Sequence, residues 1–206
     1  HQRDVFERCS YVDIVVGPGK LHQIPELIKK VEQGDGPQME VSLGRRDGSR
    51  DEIVRSHESY DPLRDPEMRP SPFQAYVRIQ IGCDKFCTYC IVPSVRGPEQ
   101  GRPPRQIVEE VRHLAEHGCK EVTLSSYRVT DGERTTRLSD LLAMLEEVDG
   151  LRRIKFVTNY PKDMTDDLLD SVRDLPKVSP YLHVPVQSGS NRMLERMKRG
   201  YTVQEY

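Results

Sequence analysis

The sequence predicts an α/β protein, a parallel barrel or an open parallel sheet, preceded by the tail of a second α/β unit. Three observations carry this. Between residues 75 and 200 short apolar runs alternate four times with stretches of helical period. The apolar runs read as strands buried on both faces, as in a parallel sheet covered by its crossover helices. Upstream, one further strand with flanking helices is set apart by a stretch rich in Gly, Pro, Arg, Asp and Ser.

Taken in order, RDVFERCS (3–10) reads as the end of a helix, YVDIVVGP (11–18) as a buried strand and KLHQIPELIKKVEQG (20–34) as an amphipathic helix closed by glycine. One strand cannot make a sheet, so residues 1–34 are expected to be the end of a larger α/β domain. Residues 35–72 read as a linker with at most a short hairpin. The second unit, 73–206, begins with the strand AYVRIQI (75–81), which runs into a cysteine-bearing loop. A helix follows over 104–118, with apolar residues at 107, 108, 111, 114 and 115, then the strand KEVTL (120–124). The helix over 137–150 has Ser139 as its candidate N-cap. The strand LRRIKFVTN (151–159), a helix over 163–176, the strand PYLHVPVQ (180–187) and a helix over 191–200 complete the alternation. In such folds chemistry sits in loops at the carboxyl ends of the strands, where the cysteine loop lies.

Composition excludes several classes. With 35% hydrophobic and 31% charged residues and no long apolar run, the 206-residue chain is expected to be soluble and cytoplasmic, with no membrane partner. The net charge of -2 gives no global nucleic-acid signature, so such a partner needs local patches. The chain opens at His1 without methionine and closes as a helical pattern begins, and so is expected to be a fragment. Five cysteines, three of them clustered, are not a disulfide framework.

The cluster is GCDKFCTYCIVPSVRG (82–97), in which Cys83, Cys87 and Cys90 form CxxxCxxC. That spacing lets three thiolates converge from one loop. A closed zinc site needs a fourth ligand, and the nearest histidines, His57 and His113, are more than twenty residues away. Two-cluster ferredoxins use a different run with a fourth cysteine and a proline. An iron–sulfur cluster is therefore favoured over zinc, and a disulfide plus a free thiol is the weakest alternative. A four-iron cluster on three thiolates keeps one iron open to a substrate or cofactor, as a catalytic zinc does.

CxxxCxxC after the first strand of a parallel barrel, with Tyr89 just before the last cysteine, resembles the radical S-adenosylmethionine superfamily. The resemblance implies a TIM-like barrel and a [4Fe-4S] cluster whose open iron is chelated by S-adenosylmethionine. It also implies one-electron cleavage of that cofactor to a 5′-deoxyadenosyl radical. GCDKFCTYCIVPSVRGPEQGRPPRQIVEEV, LHVPVQSGSNRMLERMKRGYT and YVDIVVGPGKLHQIPELI together are similar to the methylthiotransferase family, in particular its MiaB branch. That branch adds a methylthio group to carbon two of isopentenyladenosine beside the tRNA anticodon. The RimO branch, acting on a ribosomal-protein aspartate, typically has a QHAS-like stretch where Gln187, Ser188, Gly189 and Ser190 stand here. The threonylcarbamoyladenosine branch keeps QSG but differs after the cysteine loop. The resemblance thus implies a monomeric enzyme, two S-adenosylmethionine roles, a sulfur donor and a tRNA anticodon stem-loop as partner.

Two departures stand out. The second [4Fe-4S] cluster expected in the full-length family member would use three cysteines upstream of His1, and neither Cys9 nor Cys119 sits in a matching motif. Both read as packed thiols. A C-terminal TRAM domain and the last barrel strands are also expected beyond this chain. Second, VTLSSYRVT (122–130) replaces a loop of the LLGQNV kind, as if a segment near 124–126 were missing.

The strand ends supply candidate cofactor contacts: Tyr89 for the adenine, Thr158 and Asn159 after the third strand, Gln187 and Ser188 after the fourth, and Arg199 for the cofactor carboxylate. Turn chemistry, loop packing and a solvated helix-end cation are the competing readings of these residues. Arg96, Arg102 and Arg105, with Arg192, Arg196, Lys198 and Arg199, are candidate phosphate contacts, against which stands an ordinary solvated face. The non-enzymatic alternative is a zinc- or cluster-stabilised RNA- or protein-binding module.

Overall fold

The computed structural model describes residues 4–17, 20–41, 69, 71–125, 128–130, 135–157 and 160–206. It divides into two compact units, His1–Asp61 with Ser94–Gly97, and Pro62–Pro93 with Pro98–Tyr206. Among the described residues no helix is long and apolar enough to cross a membrane.

In the first unit helix α1 (Asp4–Arg8) precedes strand β1 (Ile14–Val16). A 3-10 turn, Leu21–Gln23, leads into α2 (Ile24–Glu32), whose first turn accepts proline because its N–H groups have no helical partner. The helix ends before Gly34, whose φ of 90° is open to glycine at no steric cost. Strand β2 (Gln38–Glu40) then pairs parallel with β1, Ile14 facing Gln38 and Val16 facing Glu40. Composition assigns these three residues to the linker; the structure makes them a strand. Parallel partners need only a crossover helix, which α2 provides, and Gln38 and Gly17 close the ladder ends by donating to Asp13 and Glu40 at 2.8 Å. The hairpin expected later in the linker falls outside the described residues.

The second unit is built on three parallel strands, β3 (Gln74–Val77), β6 (Glu121–Ser125) and β9 (Arg153–Val157), in the spatial order β3-β6-β9. Chain order and spatial order coincide because each crossover carries one helix. These are α4 (Pro104–Glu116) between β3 and β6, and α5 (Leu138–Glu146) between β6 and β9. Before α4 come the two-residue strand β4 (Gln80–Ile81), the short helix α3 (Val92–Arg96) and strand β5 (Gln100–Gly101). Strands β7 (Arg128–Thr130) and β8 (Thr135–Arg137) form an antiparallel hairpin ahead of α5. Helices α6 (Asp166–Asp174) and α7 (Asn191–Arg196) close the chain.

The strands are not buried on both faces as predicted. Ala75 and Val77, Val122 and Leu124, and Ile154 and Phe156 form one buried face against Ile107 and Val111 of α4 and Leu141, Leu142 and Leu145 of α5. The other face carries Tyr76, Thr123 and Lys155, aligned by register, and Tyr76 is 83% exposed. The alternation in QAYV, EVTLS and RIKFV is the reason: a period of two can bury only one side. Burying each large aliphatic side chain of the dry face contributes about 1.5–3 kcal/mol.

Two further expectations change. Residues 180–187 form no strand; the chain makes one parallel bridge from Val178 to Ile154 and Ser179 donates to the Ile154 carbonyl at 2.8 Å. Pro180 and Pro185 lack the N–H groups that a ladder requires, which explains the early end. Ser139 is not the N-cap of α5. Arg137 holds that position, its N–H donating to Asp140 Oδ2 at 3.1 Å. The Ser139 hydroxyl instead donates to Asp167 Oδ2 at 2.5 Å, tying α5 to α6. That bond, helped by Thr165, holds the Asp167 carboxyl below its ordinary range.

Candidate metal centre

The cysteine loop is closed at its base. Strand β4 pairs antiparallel with β5, Gln80 facing Gly101 and Ile81 facing Gln100, and Arg102 N–H donates to the Ile79 carbonyl at 2.8 Å. The predicted single strand 75–81 is therefore two pieces, one in the sheet and one in the neck of the loop. Within the loop Glu99 N–H donates to Asp84 Oδ1 at 3.1 Å, and Cys90 N–H donates to the Cys87 carbonyl at 3.0 Å. Phe86 takes a positive φ of 48°, a conformation that costs a residue with a side chain about 1–2 kcal/mol. Thr88 fastens the tip to the end of α7, donating from N–H to the Met197 carbonyl at 3.2 Å and from its hydroxyl to the Arg196 carbonyl at 3.0 Å.

Cys83, Cys87 and Cys90 are all free thiols, Cys87 buried and the other two half-buried. Among the described residues no three Cys, His, Asp or Glu side chains are already drawn together as a metal-binding set. The donors are nonetheless of the right kind and on one tethered loop. No disulfide competes for them, and the charges of Cys87 and Cys90 are felt at Cys83. Burial is the main cause that pushes the Cys83 thiol pKa up, with Glu99, Cys87 and Cys90 adding to it. A cation at the loop reverses that balance, since metal binding deprotonates a coordinating thiol. The donor chemistry fits a cluster bound by three thiolates.

What the structure adds is Arg199. It is 7% exposed and donates from Nη1 to Cys87 Sγ at 3.1 Å and to the Tyr89 hydroxyl at 3.4 Å. From Nε it donates to the Tyr201 hydroxyl at 3.2 Å, and Tyr201 in turn donates to the Val186 carbonyl at 2.7 Å. The guanidinium lies 4.9 Å from the Tyr160 ring centroid and 5.4 Å from that of Tyr201, whose rings meet edge to face. Burial opposes its charge, yet the bonds it donates to Tyr201 and Cys87 leave its pKa above the ordinary arginine value. Burial also raises the Tyr89 and Tyr160 hydroxyl pKa values against the lowering effect of Arg199.

A helix ending makes this placement possible. Lys198 N–H donates to the Glu195 carbonyl and Arg199 N–H to the Leu194 carbonyl, both at 2.9 Å, the paired bonds of a Schellman motif. Lys198 fills its left-handed position with φ 53°, and Gly200 follows with φ 68°. The reversal turns Arg199 inward while Lys198 stays exposed. A Cβ at Gly200 would stand 3.2 Å from the Tyr160 hydroxyl, a tight contact that the tyrosine would have to yield to.

Of the predicted cofactor contacts, the structure thus brings Tyr89 and Arg199 together at Cys87. Gln187, at a positive φ of 71°, is exposed, and the Ser188 hydroxyl accepts the Ser190 N–H at 3.2 Å, a local turn bond. Thr158 and Asn159 lie outside the described residues. Tyr160, Tyr201 and Lys85 were not singled out by sequence. Lys85 Nζ stands 4.2 Å over the Tyr160 ring and 2.9 Å from Asp163 Oδ2, linking the loop to the segment after β9. The signal for Tyr160 and Asp163 was their place just past a strand end. Among the phosphate candidates, Arg102 is withdrawn: it is buried, paired with Glu110 at 2.6 Å and bonded to the Arg78 carbonyl at 2.7 Å. Arg199 is likewise buried, whereas Arg96, Arg105, Arg192, Arg196 and Lys198 are exposed.

The family model described as Radical SAM superfamily matches residues 77–206. The chain belongs to the radical SAM superfamily. That membership implies a four-iron cluster and S-adenosylmethionine, in keeping with the three free thiols of its loop. The chain is also 62% identical over 210 residues to a tRNA-2-methylthio-N(6)-dimethylallyladenosine synthase of Rhodopirellula baltica, covering 100% of this chain and 44% of that protein. Proteins of the same name from Zymomonas mobilis and Photobacterium profundum are 39% and 40% identical over 209 residues, each match covering 98% of this chain and 44% and 41% of theirs. The chain therefore spans less than half the length of these radical SAM relatives.

Proposed function

We propose that this chain is the cluster-bearing part of a methylthiotransferase that modifies isopentenyladenosine next to the tRNA anticodon. The observation that carries the reading is the tethered loop with three free thiols, Cys83, Cys87 and Cys90, in a chain similar along its whole length to proteins of that name. A bound four-iron cluster supplies one electron for reductive cleavage of S-adenosylmethionine. The chain's own residues hold and orient. The three thiolates are the cluster ligands. Tyr89 would contact the adenine of the bound cofactor, and Gln187 and Ser188, with Thr158 and Asn159 by their place in the sequence after β9, are the further candidate contacts. Arg199, whose Nη2 makes no hydrogen bond among the described residues, offers that edge to the cofactor carboxylate.

The sheet order β3-β6-β9, with crossover helices on one face, supports the first part of a TIM-like barrel wall. Residues 1–34, together with the paired strand Gln38–Glu40, are assigned to the end of the N-terminal methylthiotransferase domain, the rest of 35–72 to a linker and 73–206 to the radical SAM core. The sulfur donor, a second cluster, the cytoplasmic location and a monomeric state belong to the same reading of the whole protein.

Anaerobically reconstituted full-length protein is expected to be brown, to bind iron and sulfide, and to release 5′-deoxyadenosine with a reductant. Cys83→Ala, Cys87→Ala and Cys90→Ala should each abolish that release. Nucleosides of tRNA from cells lacking the gene should lose the methylthio group and regain it with the wild-type gene but not with the variants. Zinc without iron in the anaerobic protein, or 5′-deoxyadenosine formation by the cysteine variants, would overturn the proposal.

A further inference from the structure

The hydrogen bond from Arg199 to Cys87 assigns this arginine a task beyond contact with a cofactor. It is 7% exposed, and no carboxylate lies within ion-pair reach of it among the described residues. Its neighbours are a thiol and three tyrosines, Tyr89, Tyr160 and Tyr201. A buried cation retained without an anion is costly unless something at the site carries the missing negative charge. The atom nearest to fulfilling that role is Cys87 Sγ, 3.1 Å from Nη1.

The guanidinium is also held from several sides. Tyr201 takes Nε and is itself anchored on the Val186 carbonyl, the Tyr160 ring lies beside the guanidinium plane, and the Schellman turn at Lys198 directs the side chain inward. A group fixed so firmly is a permanent local field and not a mobile counter-ion.

We infer that Arg199 is a positioning residue for the cluster of the proposed function, holding Cys87 by a charge-assisted N–H···S bond and raising the cluster's reduction potential. Reduction adds one electron, and so one negative charge, to a centre that already carries thiolate charge. A fixed positive charge and a donor on the ligand sulfur stabilise the reduced form more than the oxidised form. Tyr160 and Tyr201 act one step further out, by keeping the guanidinium in place.

The inference rests on the three-thiolate reading, and the test separates the two. Full-length holoenzyme is titrated anaerobically without S-adenosylmethionine, and the reduced signal of this cluster is identified as the one that disappears in Cys87→Ala. In R199Q the ratio of reduced to oxidised cluster at the wild-type midpoint should fall about tenfold, equivalent to about 59 mV for one electron. R199K, which keeps the charge but loses the planar fork, should fall less. Iron and sulfide content are measured in each variant. An unchanged midpoint in R199Q with full iron content overturns the inference and leaves the function standing. If R199Q holds no iron, wild-type protein labelled with 15N-arginine decides, since the bond requires a nitrogen hyperfine coupling to the reduced cluster. Its absence overturns the inference. A wild-type protein without iron overturns the underlying function, and this inference with it.

Discussion

The amino end and the carboxyl end of the parallel sheet each hold a buried charge, and they are handled in opposite ways. At the amino end Glu121, 9% exposed, opens β6. It accepts from Lys155 at 2.8 Å, Arg153 at 3.3 Å and Gln74 at 3.2 Å, all from the neighbouring strands that register sets beside it. Past the carboxyl end, Arg199 is as deeply buried but meets a thiol and tyrosines. The first charge is neutralised by its own sheet and serves stability. The second meets no carboxylate among the described residues and donates instead to the Cys87 sulfur. A buried ionised group with all its partners in place is an architectural element, and one lacking its counter-charge marks chemistry.

Variants can break or sharpen that contrast. The largest loss of stability is expected at a second ion pair, that of Arg102 and Glu110. Arg102→Ala removes the 2.6 Å ion pair with Glu110 and the bond to the Arg78 carbonyl at a site where both side chains are about one-tenth exposed, and should cost about 3–5 kcal/mol by urea unfolding. Glu121→Ala should cost less, about 1–3 kcal/mol, because Arg153 and Lys155 can turn to solvent. Its cluster potential should match wild type, and a shifted potential would erase the distinction between the two ends. Gly200→Ala, with a positive φ and a crowded Cβ site, should cost about 1–2 kcal/mol and, unlike Glu121→Ala, disturb the potential through Arg199. The smallest effect has the opposite sign: Lys198→Gly relieves a left-handed non-glycine and should raise stability by up to about 1 kcal/mol with the potential unmoved.

Local features were legible in sequence. The helices over 104–116, 138–146 and 166–174 follow apolar periodicity, and β6 and β9 follow short apolar runs between turn residues. Where local signals conflicted, the reading failed. PYLHVPVQ has the apolar content of a strand, but its two prolines prevent a ladder. Gln38–Glu40 has the neighbours of a linker, but a partner lies twenty-four residues earlier in the chain, at Ile14. Ser139 is a good capping residue, yet its hydroxyl is engaged by Asp167, from a helix that only packing brings near.

The same division holds at the site. The chain by itself supplied the candidate ligand set, because Cys83, Cys87 and Cys90 share one loop and their spacing is a property of eight consecutive residues. It determined the strand–helix alternation too, because periodicity is local. Only the tertiary structure decided which cation serves that loop. Arg102 and Arg199 are indistinguishable as letters, both being arginines beside glycines in basic stretches. One is consumed by Glu110 across a helix turn and a strand end, and the other is turned inward by Lys198 and Gly200 and held by Tyr160 and Tyr201 against Cys87. Their partners stand 8 and 112 residues away. Whether a charge is cancelled or left open depends on those distant neighbours, and so on the fold.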